Sequence, residues 1–254
     1  KCRLCKSENL AEVFSLGVQF VNDFPDKENI RTSPRCPLDV VQCQDCTLVQ
    51  LRHTAPQELL YRRHYWYRSS VTSTMREALR DITRSIESLI WLTESDVVLD
   101  IGSNDGCTLR SYTHKVIKVG VEPAANLADE GSDGVDIFIN EFWDAGIYFD
   151  RVGKKAKVIT ALGMFYDLED PQRFIDDVAS CLDENGIFVA QLMCLKNMIA
   201  TCDLGNICHE HLEFYTLKSL KYMFGKAGLE IFDIETNKVN GESYRLFMRH
   251  QGSK

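Results

Sequence analysis

No stretch of this sequence approaches the roughly 18 consecutive apolar residues that crossing a bilayer requires. No charged-then-apolar leader opens it either, although the first residue is Lys1 and not methionine. Basic residues are not in excess: 29 Lys and Arg stand against 37 Asp and Glu, a formal charge of −8. Binding along a nucleic-acid backbone needs a basic footprint, so the composition argues against that class. The dinucleotide fingerprint G-x-G-x-x-G is missing, and so is the phosphate loop G-x-x-x-x-G-K. Both absences weaken a reading as a nicotinamide enzyme or a nucleotide hydrolase. Prolines number six in 254 residues, and there is no internal repeat or low-complexity tract. What remains is 44% apolar and 26% charged residue, the balance of a soluble globular protein with room for one large or two modest domains.

Cysteine, by contrast, is plentiful, with ten residues. Four of them form two pairs, Cys2-x-x-Cys5 and Cys43-x-x-Cys46. A C-x-x-C turn sets two sulfurs on one side of a tight loop, and two such turns complete a tetrahedral zinc site. The alternatives are a redox pair or buried free thiols. Cys36 is a fifth candidate without a partner at that spacing. Metal-ligand spacing, with no sign of export, points to a reduced, cytoplasmic setting. Residues 1–60 hold half of the cysteines, with three of the six prolines before position 50, and they read as a small, irregular zinc-binding domain.

Residues 61–94 read as a linking helical segment. Val71, Met75, Leu79, Ile82, Ile86 and Leu89 recur at three- and four-residue steps, with Arg76, Arg80 and Arg84 on another, solvated face. From 95 to 254, strand and helix signals alternate. Val97–Ile101, Lys118–Glu122, Val135–Ile139, Lys157–Leu162 and Ile187–Leu192 read as strands. Asp170-Pro171 starts a helix, and Leu217 to Lys226 forms another. Leu229–Ile234 and Tyr244–Met248 close the domain as an antiparallel pair. The alternation predicts an α/β fold, a mostly parallel sheet with helices on both faces.

In such sheets, ligands sit beyond the carboxyl ends of the strands. The turn Asp100-Ile-Gly-Ser-Asn-Asp-Gly106 lies there, with Gly102 and Gly106 allowing close backbone approach and Ser103 and Asn104 between them. Glu122, followed by Pro123, ends the second strand, where a carboxylate accepts both ribose hydroxyls and disfavours a phosphate. Together these residues predict S-adenosylmethionine as cofactor, against an ordinary glycine turn capped by surface acids. His209-Glu210-His211 falls on the same rim. An imidazole there suits a general base, with a second metal site or a helix-capping cluster as alternatives. Tyr61, Tyr65, Trp66 and Tyr67, with Arg62, Arg63, Arg68, Ser69 and Ser70, form an aromatic and basic patch. It suits either a sugar nucleotide or an interdomain seam.

Taken as a set, these motifs resemble the zinc-containing sugar C-methyltransferases, which act on nucleotide-linked 4-keto-deoxysugars in branched-sugar biosynthesis. The resemblance rests on both cysteine pairs, Pro37-Leu38, Thr47–Leu51, Tyr65-x-Tyr67-x-Ser69-Ser70, the turn 100–106, Asp167-Leu-Glu-Asp-Pro171 and His209-Glu-His-Leu-x-Phe-Tyr215. It implies a zinc domain followed by a Rossmann-like class I methyltransferase domain. It implies His211 as base, Glu210 as its neighbour and Tyr67 as a wall of the sugar site. Two departures stand out: Cys208 replaces a tyrosine of some members, and Gly241-Glu242-Ser243 replaces a Gly-Gly-Ser. The sequence also stops at Lys254, where the family's further domain would begin, so a partner domain or subunit is expected to complete the sugar site. Methylation of oxygen or nitrogen in another metabolite, and a non-catalytic cofactor-binding fragment, are the competing expectations.

Overall fold

Every position of Val97–Ile101 is buried, as a strand covered on both faces demands. A computed structural model of the chain describes residues 1–21, 25–62, 65–238 and 242–253. Arg63 of the aromatic patch and Gly241 of the hairpin turn lie outside the described residues. Three strands come first: β1 (Leu10–Phe20), β2 (Arg35–Cys43) and β3 (Val49–Leu51). A π-helical turn, Glu58–Arg62, precedes the long helix α1 (Ser73–Leu89). Strands and helices then alternate as β4 (Val97–Ile101), α2 (Cys107–Arg110), β5 (Ile117–Val121), α3 (Ala128–Ser132) and β6 (Ile137–Ile139). They continue as α4 (Ala145–Val152), β7 (Ala156–Leu162), α5 (Pro171–Cys181) and β8 (Leu182–Met193). The remaining elements are α6 (Leu195–Thr201), β9 (Glu213–Phe214), α7 (Leu217–Lys226), β10 (Leu229–Asn237) and β11 (Ser243–His250).

The larger sheet has the order β10-β11-β8-β7-β4-β5-β6. Its strands from β8 to β6 are parallel, and β11 and β10 join antiparallel at one edge. Side chains alternate between faces at period two. Leu99, Ile159, Phe188, Leu246 and Met248 point into one apolar cluster. Val98, Val158, Val189 and Phe247 point into the other, where Leu79, Ile82 and Ile86 of α1 cover them. The N-cap Thr72 starts α1 by accepting the Met75 amide. Val71 and Leu89, expected on its apolar face, are exposed: Val71 precedes the N-cap and Leu89 is the last helical residue.

The first sixty residues are more regular than their sequence implies. β1, β2, β3 and β9 form a four-stranded antiparallel sheet. β1 is an edge strand with no fully buried position, so it carries little of the alternating pattern that marks a strand. The fourth strand comes from far along the chain: β9 pairs with β3 through Val49–Phe214 and Gln50–Glu213. The main apolar cluster also runs without a break from Leu4, Leu48 and Leu51 into Leu99 and Phe165.

The two cysteine pairs adopt matching turns. Lys6 and Thr47, each directly after the second cysteine, take positive φ values of 63° and 67°. Their amides donate to the carbonyls of Cys2 and Cys43, the first cysteines of the pairs, at 3.0 and 2.9 Å. All four sulfurs lie within 4.8 Å of one another. The Cys2–Cys46 and Cys5–Cys43 separations of 3.5 Å are too long for disulfides and close to the edge of a zinc–sulfur tetrahedron, about 3.8 Å for bonds of about 2.3 Å. Arg3, inside the first turn, reaches across to the Leu51 carbonyl, Thr54 Oγ1 and Glu213 of β9, the last at 3.6 Å. Stripping the metal, or Cys43→Ser, is expected to remove amide-exchange protection from Val49–Leu51 and from Leu212–Phe214 together. Protection lost only near the cysteines would contradict this coupling.

Candidate active site

Both predicted strand ends meet at one rim. After β4 the chain turns at Gly102, whose φ is +71°, and an added Cβ would stand 2.9 Å from Met164 Cγ. Gly102 therefore supplies a conformation and a clearance that other residues lack. Asn104 also takes a positive φ of 51°, which its short polar side chain tolerates. Glu122, at the end of β5, is buried, and its carboxylate is held by two backbone amides. Oε2 accepts from Asn104 N and Oε1 from Ala124 N, each at 2.9 Å. Burial raises its pKa, and the two amides oppose that rise. Each oxygen keeps a second acceptor position, enough for a pair of hydroxyls.

A strap formed by residues 65–70 crosses this rim. Asn126 grips the Tyr65 backbone on both sides, accepting from its amide at 2.9 Å and donating to its carbonyl at 3.0 Å. Asn104 donates to the Tyr67 carbonyl and accepts from the Ser69 amide, while Asp105 accepts from the Ser70 amide. The motif Tyr65-x-Tyr67-x-Ser69-Ser70 is thus written for this docking. Tyr61 and Tyr65 line the cavity beneath the strap, as does the half-exposed Tyr67. The arginines of the patch behave differently. Arg62 pairs with Glu141 at 2.7 Å and Arg68 with Glu130 at 3.0 Å, and neither lines the cavity.

The cavity has a volume of about 590 Å3. Gly102, Asn104, Glu122 and Pro123 form one wall, and Tyr166, Asp167, Glu210 and His211 form another. Asp100, Ser103 and Gly106 belong to the loop but not to the cavity lining. Asp100 sits on the α1 face of the sheet, bonded to Thr160, and burial pushes its carboxyl up to about 7 against the donations of Thr160 and Thr108. The Ser103 hydroxyl packs close to Gly120, and Gly106 is the N-cap of α2.

His211 and His209 diverge. His209 is buried and its Nε2 bonds the Cys36 carbonyl at 2.9 Å, which ties the segment to the small sheet. His211 faces the cavity. Its Nδ1 lies 2.8 Å from the Asn206 carbonyl, so that nitrogen carries the proton and Nε2 holds the lone pair. Burial lowers its pKa, with the Asn206 bond opposing, and the ring is therefore neutral at pH 7. Tyr166 packs edge-on against it, with ring centroids 4.6 Å apart. The divergence of the two histidines removes the His-x-His metal alternative. No sequence motif marks Asn126, Tyr166 or Asp167 as part of this site. The rule that ligands gather at strand carboxyl ends, applied to β7 as it was to β4 and β5, would have pointed to the last two.

The sequence family described as "Methyltransferase domain" matches residues 71–234, more than half of the chain. The chain belongs to this family. A family described as "Putative zinc binding domain" matches residues 2–61. Among curated proteins, C-methyltransferase NovU of Streptomyces niveus is 29% identical over 252 residues. That match covers 97% of this chain, and the chain spans 60% of the length of that relative. Among solved structures, an S-adenosylmethionine-dependent methyltransferase of Clostridium acetobutylicum superposes with a TM-score of 0.54 at 13% identity, over 72% of this chain and 94% of that one. Magnesium protoporphyrin IX methyltransferase of Synechocystis PCC 6803, solved with bound SAH, gives 0.53 at 12% identity, over 72% and 89%. The cyclopropane synthase MmaA2 of Mycobacterium tuberculosis gives 0.54 at 12% identity, over 76% and 90%. These likenesses establish the Rossmann-like methyltransferase fold of the larger sheet.

The residues present fit both expected groups. Four converging thiols suit zinc, and they do not line the cavity. Gly102, Asn104 and the open acceptor positions of Glu122 suit the adenosyl group of S-adenosylmethionine. No helix among the described residues is long and apolar enough to cross a membrane. Glu122→Gln keeps the shape of the side chain but loses an acceptor. It is expected to weaken S-adenosylhomocysteine binding about tenfold, the equivalent of roughly 1.4 kcal/mol, in isothermal titration. Unchanged affinity would remove Glu122 from the cofactor site.

Proposed function

We propose that this chain methylates a carbon atom next to a ketone, in a nucleotide-linked keto-deoxysugar, with S-adenosylmethionine as methyl donor. The observation that carries this reading is a neutral imidazole, His211, in the same cavity as Glu122. The saturated carbon beside a ketone bears no electron pair to attack a methyl group, so methylating it demands that a proton be removed first. Oxygen and nitrogen nucleophiles have less need of such a base. The similarity to a C-methyltransferase supports the same choice.

The roles assigned to the residues follow from their chemistry. A ketone acidifies the neighbouring C–H. His211 Nε2 takes that proton while the Asn206 carbonyl holds Nδ1–H and favours the imidazolium that forms. Glu122 and the loop around Gly102 hold the adenosyl end. S-adenosylmethionine supplies, when bound, an electrophilic methyl group for the enolate carbon. Tyr67, from the strap, forms part of the sugar wall. Glu210 flanks the base, and its carbonyl accepts the Tyr61 hydroxyl at 3.0 Å. The diphosphate of a nucleotide sugar needs cations, and Arg173 is the one Lys or Arg in the described cavity lining. Under this reading, a further domain or subunit supplies the rest of the nucleotide site. Zinc holds the small sheet and takes no part in the chemistry.

His211→Ala is expected to lower turnover by about 10²- to 10⁴-fold while leaving S-adenosylhomocysteine affinity nearly unchanged. In the wild type the working form is the neutral ring, so activity falls as pH drops through the His211 pKa. Because burial lowers that pKa, the acid limb should lie below the ordinary value of about 6.5. Unchanged turnover in the variant, or an acid limb above 7, would remove His211 as the base.

A further inference from the structure

Asp167 lies just past the carboxyl end of β7, buried and lining the cavity. Its backbone is fixed: the amide donates to the Met164 carbonyl at 3.0 Å. Its Oδ1 is buried and has no hydrogen-bond partner among the described residues. Buried polar atoms are rarely left so, and each exception asks for a ligand or a function. The groups that act on this carboxyl electrically are Glu210 and Glu213, with the Tyr61 hydroxyl, whose proton goes to the Glu210 carbonyl, close by. Tyr65, Tyr166, Cys208 and Tyr215 sense it from the surrounding walls. Every one of these is an acid, a phenol or a thiol. The nearby buried cation, Arg3, is taken up by Glu213, the Leu51 carbonyl and Thr54.

Arg173, in the same cavity lining, pairs with Asp144 at 3.4 Å, so an ionised Asp167 would be a buried charge without a paired counter-ion. Burial raises its pKa well above the carboxylate range, Glu210 and Glu213 raise it further, and the neighbouring Tyr61 hydroxyl opposes them. A neutral carboxyl has an O–H to give, and here it has an oxygen with nothing to meet. The same backbone junction carries the base. The Tyr166 carbonyl accepts the amides of Leu212 and Glu213 at 2.7 and 3.1 Å, so Asp167 and His211 are each one residue from these bonds.

We propose that the Asp167 carboxyl donates a hydrogen bond to the carbonyl oxygen of the substrate, as the oxyanion-side partner of the His211 base. This rests on the enolate reading above. As His211 Nε2 takes the proton, the C–H pair becomes the C=C bond and the carbonyl π pair moves onto oxygen. The Asp167 O–H meets the charge that develops there. The C=C pair then forms the new bond to the methyl group as the methyl–sulfur bond of the bound donor would break, its pair staying on sulfur to give S-adenosylhomocysteine; the oxygen pair returns, C=O reforms, and the imidazolium releases its proton to water. Nothing is oxidised or reduced.

The test is deuterium exchange into thymidine-diphospho-4-keto-6-deoxyglucose in heavy water, followed by proton NMR without methyl donor. Asp167→Ala should slow exchange next to the ketone by about 10²- to 10³-fold. Asp167→Asn, which keeps an N–H donor and the shape, should stay within about tenfold of wild type. Both variants should bind S-adenosylhomocysteine as the wild type does. The wild-type rate should also fall at alkaline pH as Asp167 ionises, and Asp167→Asn should lack that limb. Burial and Glu210 push the Cys208 thiol up to about 12, and burial raises the phenols of Tyr61, Tyr65 and Tyr166, so the Asp167→Asn comparison assigns the limb. Wild-type exchange that persists undiminished in Asp167→Ala overturns the role of Asp167 alone, as does the same alkaline limb in Asp167→Asn. A wild type that exchanges no deuterium overturns the enolate reading and this inference with it.

Discussion

Leu212 is bonded in two directions, and the geometry of the site depends on it. Its amide donates to the Tyr166 carbonyl at 2.7 Å, beyond the end of β7, and its carbonyl accepts the Leu51 amide at 2.9 Å, at the end of β3. One residue therefore joins the rim of the larger sheet to the small sheet. The imidazole assigned as base precedes it directly, and β9 follows it. Either bond alone would leave residues 206–214 a loop with one anchor. Two bonds, with the buried His209 contact to Cys36, fix the segment from both sides. The position of His211 is thus a property of the whole chain and not of its local sequence.

This explains why a metal remote from the cavity matters to it. Two matched turns around four thiols hold Arg3, and Arg3 holds the Leu51 carbonyl and Glu213. A small sheet with an exposed edge strand buries too little apolar surface to hold such a frame alone. A zinc ion supplies what the core does not, since metal affinity in such sites is folding free energy. The continuous apolar cluster between the sheets then passes that rigidity to the rim.

The methyltransferase sheet was legible because its signals are local. Short apolar runs ended by glycine or acid at Ile101, Val121 and Leu162 mark parallel strands and their carboxyl ends. Glu122 was legible for the same reason, as the residue after such a run. The small sheet was not, because β1 is exposed along most of its length and β9 is two residues long. Their pairing is set by contacts across the fold. The aromatic patch was legible only as an ambiguity. The structure divides it, with Tyr61 and Tyr65 facing the cavity and Arg62 and Arg68 paired outward to acids that lie far off in sequence. Asp167 shows the other limit of pattern reading. An acid after a strand looks like a surface residue until it is seen buried among phenols and acids with no cation paired to it.

The proposed chemistry needs a methyl donor gripped at one wall and a base waiting at the other. The most direct measurement is a crystal structure with S-adenosylhomocysteine bound. The account predicts its ribose hydroxyls on the Glu122 carboxylate and its sulfur turned into the cavity toward Nε2 of His211. An adenosyl group seated away from Glu122, or a sulfur facing away from that imidazole, would contradict it.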